Sequence, residues 1–242
     1  ANIKNTSGGG DQGAIQIANG DVTIYGDIGE DGAHLSEGRI ATDHSLIING
    51  TRSVRIPIMN ITGVAGSGIF AIADGDVTMY RGIGQNTLTG ALKAVEIRTD
   101  NKFSMRTSAI YAPIKNATGT NNSGTFEVNS SNVTVFGDIG TALARLKEVD
   151  IATNHTLTLD TTAAARSLYA PVKNTGTTGQ GKLAFDGPNN ATIYNDIGTA
   201  LKTLGEIYIA SDIILNADAT GGAISIYAPI KTATNTEGNF TT

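Results

Sequence analysis

Apolar residues along this chain come in short runs, and within each run they alternate with polar ones at a period of two, the mark of a strand with one buried side. Leu168, Ala170 and Val172 share one parity, while Tyr169, Pro171 and Lys173 take the other. The alternation returns as Val54, Ile56 and Ile58, as Ile110, Ala112 and Ile114, and as Ile226, Ala228 and Ile230. These residues are expected to point inward. The opposite parity carries Arg55, Tyr111, Tyr169 and Tyr227, then Pro57, Pro113, Pro171 and Pro229, then Met59, Lys115, Lys173 and Lys231, and is expected to face solvent.

The pattern is itself periodic. Val133-Thr134-Val135-Phe136-Gly137-Asp138-Ile139-Gly140 has counterparts beginning at Val22, Val77 and Ala191. The starts are spaced by roughly 55 to 58 residues, and self-similarity at a nearly fixed period marks a repeat architecture. The chain reads as one elongated array over 1–242, with a partial repeat at 1–13 and repeats at 14–68, 69–124, 125–181 and 182–242. Each repeat holds five apolar segments, which in the third copy are 126–128, 133–139, 146–151, 157–159 and 168–172.

Within the signature, the third inward position is Gly26, Arg81, Gly137 or Asn195, and no core accepts Arg and Gly interchangeably. A bend is therefore expected there, before Ile28, Ile83, Ile139 and Ile197 return to the interior. The closing Gly29, Gly84, Gly140 and Gly198 suit a positive φ. Thr141 and Thr199, followed by apolar residues three apart, suggest one helical turn. Loops rich in Gly, Asn and Thr, such as 118–124, join the repeats and read as turns, because the apolar register resumes directly after them.

Five or six short strands in about 55 residues predict an all-β chain, a parallel β-helix (β-solenoid) of about four repeats. With roughly 18 to 25 residues per coil, three rungs per repeat is the first expectation and two the alternative. At about 4.8 Å per strand, the rod would be on the order of 40 to 60 Å long. The four prolines pull the other way, since Pro cannot donate to a ladder, and they leave an antiparallel or mixed repeat open. The opening Asn2-Ile3-Lys4-Asn5 matches Pro113-Ile114-Lys115-Asn116, and Glu237-Gly238-Asn239-Phe240 resembles Ser123-Gly124-Thr125-Phe126. Ends cut in mid-pattern suggest a longer array or end-to-end stacking.

Composition narrows the class. Charged residues make up 16% of the chain and aromatics 5%, which favours many short strands over a large aromatic core. A net charge of −5 without Lys/Arg runs argues against nucleic acid as a partner. The sequence has no apolar run of the roughly 18 residues that span a bilayer, and residues 1–6 lack a signal-peptide layout, so any export signal is expected to have been removed or to lie outside this segment. The absence of cysteine fits a bacterial surface protein that crosses the periplasm without cross-links.

The run from Phe185 through Asn195 to Leu201, together with Leu146-Lys147-Glu148-Val149-Asp150-Ile151, resembles the passenger repeats of bacterial autotransporters. The nearest style is that of large rickettsial surface antigens, including the crystalline surface-layer type. The resemblance covers nearly the whole chain and implies a right-handed β-helical passenger, exposed at the bacterial cell surface and used for adhesion or as a protein coat. It supplies no catalytic residue.

Candidate chemistry is sparse. Asp27, Asp138 and Asp196 recur at one corner, and Asp43, Asp100 and Asp212 at another, so calcium is the cation to consider, against a plain corner preference of Asp. His44 and His155 are equivalent turn residues with no second ligand evident. Gly8-Gly9-Gly10 reads as a loop, and sequons such as Asn60-Ile61-Thr62 and Asn116-Ala117-Thr118 as the chance product of an Asn- and Thr-rich chain. Tyr111, Tyr169 and Tyr227 with Lys115, Lys173 and Lys231 would form surface stripes, either an amphipathic covering or an interaction face for a glycan, a host receptor or a neighbouring copy. The leading expectation is a non-enzymatic, adhesive or coat-forming surface protein with no required cofactor. The alternative is a self-assembling subunit of an extracellular fibre, sheath or surface layer, with copies meeting end to end or laterally. A polysaccharide-active β-helix enzyme is the minor alternative, and it would need acids gathered in one non-repeated groove.

Overall fold

The structure is a computed structural model that describes all residues except 7–10, 62–65, 86–89, 118–120, 234–238 and 242. Gly8-Gly9-Gly10, the start of the 118–124 loop and the sequon threonines Thr62 and Thr118 therefore lie outside the described residues. The first repeat supplies β1 (Ala14–Ile17), β2 (Val22–Ile24), β3 (Glu37–Ile40), β4 (Ser45–Asn49), β5 (Arg52–Val54) and β6 (Ile58–Asn60). The second supplies β7 (Ile69–Asp74), β8 (Val77–Met79), β9 (Ala94–Ile97), β10 (Lys102–Met105), β11 (Ala109–Ile110) and β12 (Ile114–Asn116). The third supplies β13 (Thr125–Val128), β14 (Val133–Val135), β15 (Glu148–Ile151), β16 (Thr156–Asp160), β17 (Arg166–Leu168) and β18 (Val172–Asn174). The last stretch supplies β19 (Lys182–Asp186), β20 (Ala191–Ile193), β21 (Glu206–Ile209), β22 (Ile214–Ala217), β23 (Ile230–Thr232) and β24 (Asn239–Thr241).

Every strand pairs in parallel with the strand one coil away, so the chain is a three-sided β-solenoid of about nine turns. Face A carries β5, β8, β10, β13, β15 and β18. Face B carries β1, β3 and β6, then β11, β14, β16, β19, β21 and β23. Face C carries β2, β4, β7, β9 and β12, then β17, β20, β22 and β24. Isolated bridges at Ile83 and Ile139 carry faces B and C across their breaks, and Ile28 and Ile197 extend face A. Among the described residues the antiparallel bridges are Glu30 with Ala33 and Thr199 with Lys202, so the antiparallel or mixed repeat is set aside.

Each full repeat thus makes seven face crossings, six strands and one re-entering Ile, around three faces. The repeat is neither three coils nor two but seven thirds of a coil. Its physical cause is closure, since a coil must return over itself. The return is shortest where Val95 pairs with Ile114 and longest where Ile139 bridges Leu168 and Ile197 bridges Ile226. The repeat overshoots two coils of ordinary length and falls short of three. Successive repeats are therefore turned by one face, and the first strands β1, β7, β13 and β19 fall on faces B, C, A and B.

The inward residues of the first three copies fill one continuous core, whereas in the last copy Ile226 and Ala228 are only partly buried and Ile230, also expected inside, is exposed. Val54, Ile56, Ile58, Ile110, Ile114, Leu168 and Ala170 are completely buried, and the re-entering Ile28, Ile83, Ile139 and Ile197 with them. Each large aliphatic side chain among them contributes about 1.5–3 kcal/mol by leaving water. Phe70, Phe103 and Phe126 line up inside, with ring centroids 6.2 Å and 5.9 Å apart.

The corners explain the prolines. Leu168 ends β17 on face C and Val172 opens β18 on face A, so Tyr169-Ala170-Pro171 is the corner between two sheets. Proline therefore sits just ahead of a strand, where its missing N–H costs no ladder bond. Its carbonyl still binds the coil before: Pro57, Pro113, Pro171 and Pro229 accept from Gly38, Val95, Val149 and Ile207. The signature bend lies against this corner. A Cβ on Gly137 would stand 2.4 Å from the Pro113 nitrogen, so the close approach requires glycine. Gly140 has φ 76°, as the sequence suggested for the closing glycine.

The helical turn expected after it does not form. Thr141 and Ala144 exchange N–H···O bonds of 3.3 and 3.2 Å, and Thr199 and Lys202 two of 3.1 Å, which closes a tight two-residue loop. So short a loop between fixed ends cannot hold a helical turn, and Leu143 and Leu201 stand at the tips, 79% and 83% exposed.

Candidate functional site

The calcium candidates serve as joints. Asp27, Asp138 and Asp196 each accept, on Oδ1, the backbone N–H of a serine in the next coil: Ser53 at 2.8 Å, Ser167 at 2.8 Å and Ser225 at 2.7 Å. Their own carbonyls accept from Ile3, Ile114 and Val172 in the coil before, so each aspartate ties three levels together. Asp138 precedes the face C bridge, while Asp27 and Asp196 precede face A bridges seven coils apart. The three are not brought together. Among the described residues no three His, Asp or Glu side chains converge as metal ligands. In the second acidic set, Asp43, Asn154 and Asp212 take left-handed φ of 60°, 63° and 65°, and in the second copy Thr99 rather than Asp100 does so. These are turn positions that Asx residues tolerate. His44 accepts the Gly20 N–H on Nε2 at 3.2 Å, again across coils.

The tyrosines and lysines do not form single stripes. Lys115, Lys173 and Lys231 lie on β12, β18 and β23, hence on faces C, A and B. Each reaches back one coil to a glutamate: Lys115 to Glu96 at 3.3 Å, Lys173 to Glu148, and Lys231 to Glu206 at 2.9 Å. The tyrosines are stacking partners for the signature aromatic of the next repeat. Tyr111 stacks on Phe136 at 4.1 Å and Tyr169 on Tyr194 at 4.0 Å, while Arg55 takes the same place over Tyr80 at 4.0 Å. The hydrogen bond with Tyr194, with burial behind it, pushes the Tyr169 phenol up to about 12. Tyr227 is exposed.

One charged cluster breaks the repeat. On the outside of face A, Ser104, Glu127, Asp150 and Lys173 stand in direct register on β10, β13, β15 and β18. The positions equivalent to Glu127 are Gln16, Ala71 and Ala184, and those equivalent to Asp150 are Arg39, Glu96 and Tyr208. Glu127 is buried and accepts from Ser104 at 2.5 Å, Lys102 at 3.1 Å and Asn129 at 3.1 Å. Burial alone would raise its carboxyl, but these bonds prevail and hold it below the usual range. Asp150 is 5% exposed, its Oδ1 has no hydrogen-bond partner, and Lys173 Nζ stops 4.0 Å away. Burial, reinforced by neighbouring Glu148, pushes its carboxyl up to about 6. Of the two, Asp150 is the carboxyl that takes up a proton in mildly acidic solution, while Glu127 is held ionised by its donors.

No family model, curated protein or solved structure matches the chain.

Two features escaped the sequence reading. The residue before each signature, Asp21, Asp76, Asn132 or Asn190, accepts the backbone N–H of Ser45, Lys102, Thr156 or Ile214 one coil on, at 2.7 to 3.0 Å. Its signal was present, since all four copies carry Asp or Asn there. The Glu127–Asp150 ladder could have been found only by asking where the repeat is broken.

Proposed function

We propose that the chain is a non-enzymatic rigid rod, an adhesive or coat-forming β-solenoid of the bacterial cell exterior in the manner of the autotransporter passengers its repeats resemble. The observation that carries the reading is the turn of one face per repeat. It distributes every repeated polar residue around the rod, and the aspartates, the Asp/Asn series, Tyr111, Tyr169 and the lysines bind the coil next door. Repetition is spent on holding coils together rather than on one repeated docking face. That arrangement suits a stiff spacer or display stalk.

A second reading, a subunit of a self-assembling fibre, sheath or surface layer, draws on Leu143 and Leu201, two large apolar side chains held out at loop tips. Electron microscopy of the purified chain distinguishes them. Single rods about 43 Å long, nine coils at roughly 4.8 Å, support the stalk, and ordered filaments or sheets support the assembly. Release of reducing ends from a glycan panel would refute both in favour of an enzyme, with Glu127 and Asp150 as the first residues to replace.

A further inference from the structure

Two departures from the repeat fall at the joint between the first and second repeats. Arg55 stands where later copies have Tyr111, Tyr169 and Tyr227, and Arg81 where the others have Gly26, Gly137 and Asn195. One coil apart, they converge beside Tyr80. The Arg55 guanidinium lies 4.0 Å and that of Arg106 5.2 Å from the Tyr80 ring centre, and Arg106 Nη1 donates to Tyr80 Oη at 3.2 Å. That hydrogen bond, with the positive charge of both arginines, outweighs burial and holds the Tyr80 phenol below its usual range.

Beside the ring is a hollow of about 180 Å³ lined by Asp31, His34, Arg55, Tyr80 and Arg81. Arg55 Nη1 bonds Asp31 Oδ1 at 2.7 Å, and the Asp31 side chain is 84% exposed. Arg81 is exposed and forms no ion pair or hydrogen bond among the described residues. The Nε2 atom of His34 is buried without a hydrogen-bond partner, while Nδ1 lies 4.0 Å from Asp11. Two guanidiniums, Arg55 and Arg81, line the hollow against the Asp31 carboxylate, with Arg106 beside the same ring and Asp11 beside His34. The lining itself thus carries one more positive than negative side chain in a chain of net charge −5.

We propose that this hollow binds the carboxylate of an acidic sugar, with Arg55 and Arg81 as the charged donors and His34 and Tyr80 as walls of the space behind them. The planar guanidinium fork matches a carboxylate in geometry as well as charge. The space exceeds what a bare anion fills: at roughly 30 Å³ per water it holds about six waters, room for a sugar ring behind the charged group. The site is independent of whether the rod acts as a stalk or assembles into a coat.

The repeat itself provides substitutions the fold already tolerates. Arg55→Tyr installs the residue that stacks on the signature aromatic in later copies, and Arg81→Gly the residue of the first and third. The test is NMR titration of the isotopically labelled full chain with glucuronate, with glucose and inorganic sulfate alongside. Glucuronate is expected to give saturable shifts at Tyr80, Arg81 and His34 in the millimolar range, and glucose none. Both variants should keep Tm within a few degrees and weaken glucuronate by about tenfold or more. The proposal is overturned if glucuronate gives no saturable shift, if glucose matches it, if inorganic sulfate binds as tightly, or if well-folded Arg55→Tyr and Arg81→Gly bind like the parent.

Discussion

The second repeat lacks the inter-coil carboxylate that the other three carry, and restoring it should stabilise the protein. At Asp27, Asp138 and Asp196 the side chain accepts a backbone N–H from the next coil, whereas position 82 is glycine. Ile83 bonds the Ala109 carbonyl as Ile139 bonds that of Ser167, so Ala109 is the equivalent residue and its N–H the target. The site has room. A Cβ on Gly82 would meet only the Ala109 oxygen, at 3.5 Å, and its φ is not in the left-handed range. A hydrogen bond to a charged group nets about 1.5–3 kcal/mol, of which a partly exposed corner keeps the lower end. Replacing glycine removes about 0.4–1 kcal/mol of unfolded-chain freedom. Gly82→Asp is therefore expected to gain about 2 kcal/mol, which in a chain of this length raises Tm by roughly 4–8 °C. Urea and thermal melts followed by circular dichroism measure it, with Gly82→Ala isolating the backbone share. If Gly82→Asp is no more stable than Gly82→Ala, the carboxylates are turn residues only and the joint described above contributes nothing.

Three further outcomes test other parts of the structure. Gly137→Ala places a Cβ 2.4 Å from the Pro113 nitrogen and 2.6 Å from the Ala112 carbonyl carbon, neither of which can swing aside, so a loss of about 2–3 kcal/mol in unfolding free energy, read from urea melts, is expected. Asp150 titrates near 6 in the folded chain and near 3.8 in the unfolded one, so the folded state holds more protons between those values. Its contribution to stability is present below pH 4 and is lost as pH rises through 6. Asp150→Asn should accordingly be more stable than the parent at pH 7.5, by about 1–2 kcal/mol, and show no gain at pH 4. Glu127, whose carboxyl is held low, contributes with the opposite sign, so the Asp150→Asn difference must be measured against the parent at each pH. For Tyr169 and Tyr194, a double-mutant cycle to leucine should give a coupling of about 0.5–1.5 kcal/mol, and a value near zero would remove stacking as a link between repeats.

Local sequence was enough for the strands and their sidedness. Val54, Ile56 and Ile58 alternate because every second residue of an extended chain faces the same way, and all three are buried. The closing glycine was legible for a similar reason, since only backbone chemistry decides a left-handed φ. The charged ladder on face A was not legible, because Glu127 and Asp150 are far apart in sequence and meet only once the coil length is known.

The sequence by itself determined that this chain is a β repeat, which residues line the interior of its first three copies and where it turns. Only the tertiary structure decided which residues stand above one another. Sidedness follows from a two-residue period, whereas stacking follows from how much chain closes a three-sided coil, and that length does not divide the repeat. From this mismatch come the turn of one face per repeat, the dispersal of Tyr111, Tyr169, Lys115, Lys173 and Lys231 over all three sides, and the meeting of Arg55 with Tyr80.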